Sequence, residues 1–354
     1  MRKPAICLLL TVATLALPVV PAQATFDGDN GRIAFRRFLN TDRTWGAVFT
    51  ANPDGSQEVQ VTDPPYGYVD RNPDVSPDGR RIVFERESND CGDNCFVDDI
   101  FTVDVDGSNL TQLTGTGSPN GNCLPPGTVV ECNGSPAWSP DGRKIAFSRA
   151  SGPVVDDIVE RHAIYTMKAD GSQVRRITQR DLPATSEDTD PQWSPDGATL
   201  LFQRRNVRSA MPEDGVAIWT IRLKSGKERQ VTPYDLRAGD TPDWSPDGRR
   251  ILFHDNVDRS DVSANLYTIR PNGSGLTQLT FATGGVTTYL GSSYSPDGKW
   301  ITVGRKPATT GPEASKADVF IMRVDGTDER PVTQTELYDS YPDWGPTPTD
   351  CHHD

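Results

Sequence analysis

Apolar residues along this chain fall in short alternating runs broken by turn-forming tetrapeptides. Between positions 241 and 280 the order is "TPDW", "SPDG", "RRILFH", a polar stretch, "NLYTIR", "PNGSG" and "LTQLT". Alternation with period two marks half-buried strands, and the Gly, Pro, Asn and Asp between them mark turns. The stretch therefore predicts four consecutive antiparallel strands. The same cadence recurs. A phrase close to "WSPDGRRILF" stands at 75–84, 138–147, 193–202, 244–253 and 294–303. Third strands and their turns recur as "VFTANPDGS", "IFTVDVDGS", "IYTMKADGS", "IWTIRLKSG" and "VFIMRVDGT", and fourth strands end in Val61-Thr62, Leu113-Thr114, Ile177-Thr178, Val231-Thr232, Leu279-Thr280 and Val332-Thr333. The second-strand markers Ile33, Ile82, Ile145, Leu200, Ile251 and Ile301 lie 49, 63, 55, 51 and 50 residues apart. Repetition on that scale is a property of architecture before chemistry.

The turn residues have separate physical jobs. Pro246 presets φ, Asp247 can accept from backbone ahead of it, and Gly248 takes φ > 0 without a Cβ clash. Read as a three-residue loop, the turn sets Ser245 opposite Arg249 and fixes the register of both strands. The first repeat, "GRIAFRR", lacks a preceding strand, while "YPDWGP" at 341–346 has no strand after it. The two incomplete ends make one whole unit if they pair. The expectation is an all-β fold: a single six-bladed β-propeller of four-stranded antiparallel blades over 25–347, closed by pairing of the C-terminal strand with the N-terminal blade. Residues 348–354 are left as a short tail. Closure protects the edges that an open array would expose.

These phrases resemble the WD40-like (PD40) repeats in the propeller domain of TolB-type proteins, and also those of the propeller that gates prolyl oligopeptidase-type peptidases. The resemblance covers nearly all of the chain after residue 24. It implies the propeller and not one activity, and no GxSxG nucleophile elbow occurs in the sequence.

Arg2 and Lys3, the apolar run "AICLLLTVATLALPVV" and Ala22-Gln23-Ala24 make residues 1–24 a secretory signal peptide. The run is too short to span a bilayer, and no second one is long enough, so export to the cell envelope or the medium is expected. The formal charge of −13 becomes −15 without Arg2 and Lys3, and no basic stripe offsets it, which excludes nucleic acid as a partner class. In an exported chain, Cys91 and Cys95 in "DCGDNCF" and Cys123 and Cys132 in "GNCLPPGTVVECNG" read as two local disulfides, with Cys351 left over. Without a CxxC or a nearby histidine they do not read as a zinc site. A monomer without metal or other cofactor is expected.

All variation in length falls in the connections at 85–99, 115–135, 148–163, 179–190, 203–217, 254–265, 281–292 and 304–318, which share one face of the disc. Variable loops on a rigid scaffold are where binding usually resides. Two residues after the second-strand Phe stand Arg37, Arg86, Arg149 and Arg204, with Asp255 and Arg305 at the same place in the last two repeats. The turn register sets opposite them Asp339, Asp70, Asn133, Asp188, Gly239 and Tyr289. Arg37, Asp70, Arg86, Arg149, Asp188, Arg204, Arg305 and Asp339 are thus candidates for a charged ring that captures a ligand or partner. The competing account is cross-strand pairing, worth about 0.2–1 kcal/mol a pair. His162 and His254 are isolated and assemble no catalytic or metal set. The function expected is an exported propeller that binds a protein, peptide or glycan through its loop-rich face without catalysis of its own. The alternative is a propeller lyase or hydrolase, or a metal- or small-ligand-binding module, using the central channel.

Overall fold

The computed structural model describes residues 28–88, 97–115, 129–155, 158–159, 162–178, 186–206, 215–255, 264–282, 287–307 and 316–348. The architecture is an all-β propeller, and the one helical segment among the described residues is a 3-10 turn at Tyr234–Leu236. Among the described residues the strands form one eight-stranded, one five-stranded and three four-stranded sheets, and antiparallel pairing within them sets out the groups called units one to six below. Unit two runs Tyr68–Val75, Arg81–Ser88, Val97–Asp104, Thr111–Gln112. Unit three runs Val129–Trp138, Lys144–Val155, His162–Lys168, Arg175–Arg176. Unit four runs Ser186–Trp193, Thr199–Asn206, Val216–Arg222, Lys227–Gln230. Unit five runs Ala238–Trp244, Ile251–Asp255, Leu266–Ile269, Thr277–Gln278, and unit six Thr287–Tyr294, Trp300–Pro307, Asp318–Arg323, Arg330–Pro331. Unit one holds Asn30–Phe38, Gly46–Ala51 and Val59–Gln60, and its remaining strand is the C-terminal Tyr338–Pro346, antiparallel to Asn30–Phe38. A single parallel bridge, Gly46 to Val69, links the ladders of units one and two, so their strands count as one eight-stranded sheet.

Apolar alternation turns into contacts between neighbouring units. Ala34 and Val48 of unit one pack on Ile82 and Phe84 of unit two, and equivalent clusters join each later pair. One more cluster places Val319, Ile321 and Val332 of unit six against Ile33, Phe35 and Trp344 of unit one. The recurring Thr after each fourth strand is explained: its Oγ1 accepts from a third-strand backbone N–H, from Val48 to Thr62, Ile100 to Thr114, Ile164 to Thr178, Ile218 to Thr232, Leu266 to Thr280 and Val319 to Thr333, all at 2.8–3.0 Å. A Thr at that point satisfies a buried donor that the shorter fourth strand leaves over.

The third-to-fourth turns lie beside the first-to-second turns, as the backbone bonds Val105 N–H to Arg80 O and Leu223 N–H to Ala198 O show. Glycines of these turns also fit against the unit before. A Cβ on Gly107, Gly171, Gly273 or Gly326 would strike the carbonyl of Val61, Leu113, Val231 or Leu279, and one on Gly55 the carbonyl of Val332. Unit four departs from this rule. Its Gly226 has open space around it.

Two expectations need correction. Ser245 N–H bonds to Arg250 O, not Arg249, so the "SPDG" loop is one residue longer than its turn chemistry suggested. Ser245 Oγ and Asp247 Oδ1 fill the loop from inside, accepting from Arg250 N–H and Arg249 N–H. The connection assigned to 148–163 is not a loop throughout, because the second strand of unit three continues to Val155 and pairs with Ile158–Val159.

Candidate functional site

Every first strand is interrupted near its inner end by a residue in the left-handed region: Asn72, Ser135, Asp190, Thr241 and Tyr341 at φ 45–52°, and Gly291 at 62°. The first five precede proline. Strand register slips at each of these points, which identifies them as bulges. Bulges turn these residues and the prolines after them toward the axis, where they surround a cavity of about 60 Å³. A site for a small organic molecule takes about 300–1,000 Å³, whereas a water needs only about 10–15 Å³. The described channel has room for a few waters.

One residue further on, side chains stitch neighbouring units together. Asp343 Oδ2 accepts from Val75 N–H at 2.8 Å, Asp74 Oδ2 from Trp138 N–H at 2.7 Å, Asp243 Oδ2 from Tyr294 N–H at 2.8 Å, and Ser293 Oγ from Trp344 N–H at 3.0 Å. Ala137 and Gln192 hold the same place in units three and four. Burial pushes all three carboxyls up: Asp243 to about 7, Asp343 to about 6, and Asp74 well above the usual carboxylate range, with Asp343 beside it adding to the effect. The acid of the repeated "PDW" was legible only as a strand residue. Its signal is that a charged residue recurs at an inward position of a buried strand.

The predicted arginine pairs form. Arg37 faces Asp339 in the ladder, Arg86 faces Asp70, Arg149 faces Asn133, Arg204 faces Asp188 and Arg305 faces Tyr289. Arg37 Nε and Nη2 reach Asp339 at 2.8 and 2.7 Å, Arg86 reaches Asp70 at 2.6 and 2.8 Å, and Arg204 reaches Asp188 at 2.6 and 2.9 Å. In unit five the facing residue is Ala238, not Gly239. There the bulge shifts register by two residues and elsewhere by one. The one-residue slip cancels the extra turn residue in the other units, which is why the simpler count gave the right partners.

These groups do not form an open charged rim. The side chain of Arg204 is 2% exposed and that of Asp188 3%, while Asp339 and Asp70 are fully buried. Outward, Arg37 also binds Glu58 at 2.8 Å and Arg204 binds Glu228 at 2.9 Å. Below them lie aromatic rings, with Arg37 4.6 Å from the Phe49 centroid, Arg86 4.8 Å from Phe101 and Arg204 4.6 Å from Trp219. Arg305 is the exception at 35% exposure, with Glu329 at 3.5 Å. Sequence reasoning missed the outer acids, although Glu58, Glu228 and Glu329 all stand three residues before a fourth-strand Val.

His254 is buried, its ring nitrogens 3.1 Å from Tyr289 O and 3.0 Å from Ser292 Oγ, and burial lowers its pKa to about 4. His162 Nδ1 lies 3.8 Å from Glu187. Among the described residues no group of three or more His, Cys, Asp or Glu is arranged to hold a metal ion, and no helix is long and apolar enough to cross a membrane. Cys132 is buried in the first strand of unit three. Cys91, Cys95, Cys123, the signal segment and most of the long connections lie outside the described residues.

No protein-family model matches the chain. Part of it is 35% identical over 127 residues to the uncharacterized peptidase YuxL of Bacillus subtilis, covering 36% of this chain and 18% of that protein. It is 30% identical over 173 residues to an uncharacterized protein of Agrobacterium fabrum, covering 48% and 51%. The chain thus spans about half or less of the length of these relatives. Among solved structures, TolB from Acinetobacter baumannii superposes with TM-score 0.62 at 19% identity, over 91% of this chain and 68% of that one. Hydrazine synthase from Kuenenia stuttgartiensis gives 0.66 at 15% identity (96% and 51%), and a chain of a nidogen–laminin complex 0.60 at 11% (90% and 100%). At these identities the likeness is one of fold, a TolB-like propeller.

Proposed function

We propose that the protein is an exported, closed six-bladed propeller that binds a protein, peptide or glycan through its loop-bearing face, without catalysis of its own. Residues 1–24 serve as its signal peptide, residues 348–354 as a tail, and the C-terminal strand as the first strand of blade one. The observation that carries the binding reading is internal saturation. The channel takes only a few waters, and the Arg layer spends its charges on Asp339, Asp70, Asp188 and the outer glutamates. Recognition then falls to the long connections, held on a rigid ring. The eight candidates of the charged ring act in this reading as supports beneath those loops. Replacing 207–214 and 256–263 by short Gly-Ser linkers should leave the melting temperature within a few degrees and abolish capture of partners from the native medium or envelope. Undiminished capture by that variant would count against the loop face.

A second reading has a specific observation behind it, the 35% identity to a protein named as a peptidase. On it, the propeller admits substrate to a catalytic domain carried elsewhere. Peptide cleavage by the purified chain with a supplied hydrolase domain, and none by either alone, would favour it. The two local disulfides, Cys91–Cys95 and Cys123–Cys132, belong to the proposal as well. Non-reducing peptide mapping tests them, and a peptide joining 91–95 to 123–132 would overturn the pairing.

A further inference from the structure

The side of the disc with the short turns is not electrically uniform. Residues 221–230 of unit four, "IRLKSGKERQ", carry four cations against one acid, whereas 103–112 of unit two carry two acids and no cation. Arg222 and Lys227 stand directly opposite each other in the ladder, with Thr220 opposite Arg229 beside them. Like charges facing across a pair of strands destabilise it unless something compensates them. Among the described residues none of the three makes an ion pair, and Arg229 donates only to the carbonyl of Asn272, at 2.8 Å. All three line a groove of about 800 Å³ between units four and five. Trp244 lies against that groove, and its buried indole N–H has no partner, as is also the case for Trp138 at the same place in unit three, while those of Trp193 and Trp344 reach a neighbouring carbonyl at 3.2 Å.

The strand beside the groove is unusual too. Lys227–Gln230 is four residues long, and the outer strands of the other five units have two. It pairs on one side only, with Val216–Arg222. A longer open edge offers backbone donors and acceptors in register, and residues two apart on an added strand would share one face.

We propose that this groove binds an extended acidic peptide segment, which adds as a fifth strand along Lys227–Gln230 and sets alternate carboxylates against Arg222, Lys227 and Arg229. The surface is separate from the loop-bearing face and would survive the loop replacement described above, so the two readings fail independently. The probe is a fluorescein-labelled eight-residue peptide alternating Glu and Thr, followed by anisotropy with the full chain. Saturable binding is expected, weakened by about tenfold or more in R222E/R229E and lost near 0.5 M NaCl. R80E, the same change of charge in unit two, should bind as the parent does. R222E alone should bind less yet melt higher, since it replaces a like-charge pair by an attractive one. Should the double reversal fail to fold, R222Q/R229Q carries the same comparison. No saturable binding, equal binding of a Gln-Thr peptide, or indifference to R222E/R229E would overturn the proposal. So would equal binding of a peptide N-methylated at every residue, which has no backbone N–H left to donate along either edge, or a preference for polygalacturonate over the peptide.

Discussion

Asp74, Asp243 and Asp343 are acids by composition, yet the fold uses them as acceptors for backbone N–H groups across unit boundaries. That use has a pH signature. A carboxyl that keeps its proton up to about pH 6 or 7 in the fold, as Asp343 and Asp243 do, but loses it near pH 4 when unfolded makes the native state bind more protons in between. Their contribution to stability is therefore full below about pH 4, falls as pH rises through 6 and 7, and is gone above. The exposed turn acids Asp54, Asp106, Asp170 and Asp325 have lowered pKa values, set first by bonds from Ser56, Ser108, Ser172 and Thr327, and act in the opposite sense below pH 4. Thermal melting should accordingly be highest near pH 5 and decline toward pH 8. Asp343→Asn keeps an oxygen for Val75 N–H and removes a buried charge. It should raise stability at pH 8 by about 1–3 kcal/mol and change little at pH 5. An unchanged slope between pH 5 and 8 in this variant would refute the assignment.

Within each unit, the second strand decides whether charge is buried or spared. Arg204→Ala would leave Asp188 buried beside an empty site, which costs about 3–5 kcal/mol. Arg305→Ala should cost under about 1 kcal/mol, because its partner Glu329 is partly exposed and Tyr289 opposite it is neutral. Chemical denaturation of the two variants side by side tests the contrast, and equal losses would deny it. Much of this was legible beforehand. Strand order, the pairing of Asp339 with Arg37 and the recurrence of Thr62 and its five equivalents follow from spacing alone. Depth was not legible. A ladder says which residues face one another, but the outer acid Glu228 and the ring of Trp219 that close over Arg204 come from strands whose packing the repeat does not encode. The residues lining the channel were missed for a related reason: Asn72 and Tyr341 take left-handed backbone before proline, and a reading based on period two has no place for that.

If the ring is closed as proposed, the whole molecule depends on a contact between residues about 300 positions apart, such as Arg37 and Asp339. Removing 338–354 takes away the first strand of unit one, the Asp339 partner of Arg37 and the Ser293–Trp344 bond, and should destroy cooperative unfolding. Removing 349–354 should leave the melting curve unchanged. Calorimetry separates these outcomes, and a cooperative melt without Tyr338–Pro346 would refute closure. The adjacency of Asn30 and Pro346 in one ladder, with Thr347 N–H 2.8 Å from Asp29 O, also means that sequence order is not an essential part of this fold. A chain joined from Pro348 to Gly28 by a short linker and reopened at Ser225-Gly226, the turn whose glycine has open space around it, should reach the same fold. Reopened at Gly326, which is wedged against Leu279, it should not. Circular permutation would thus map which of the turns are fasteners and which one is a free end in waiting.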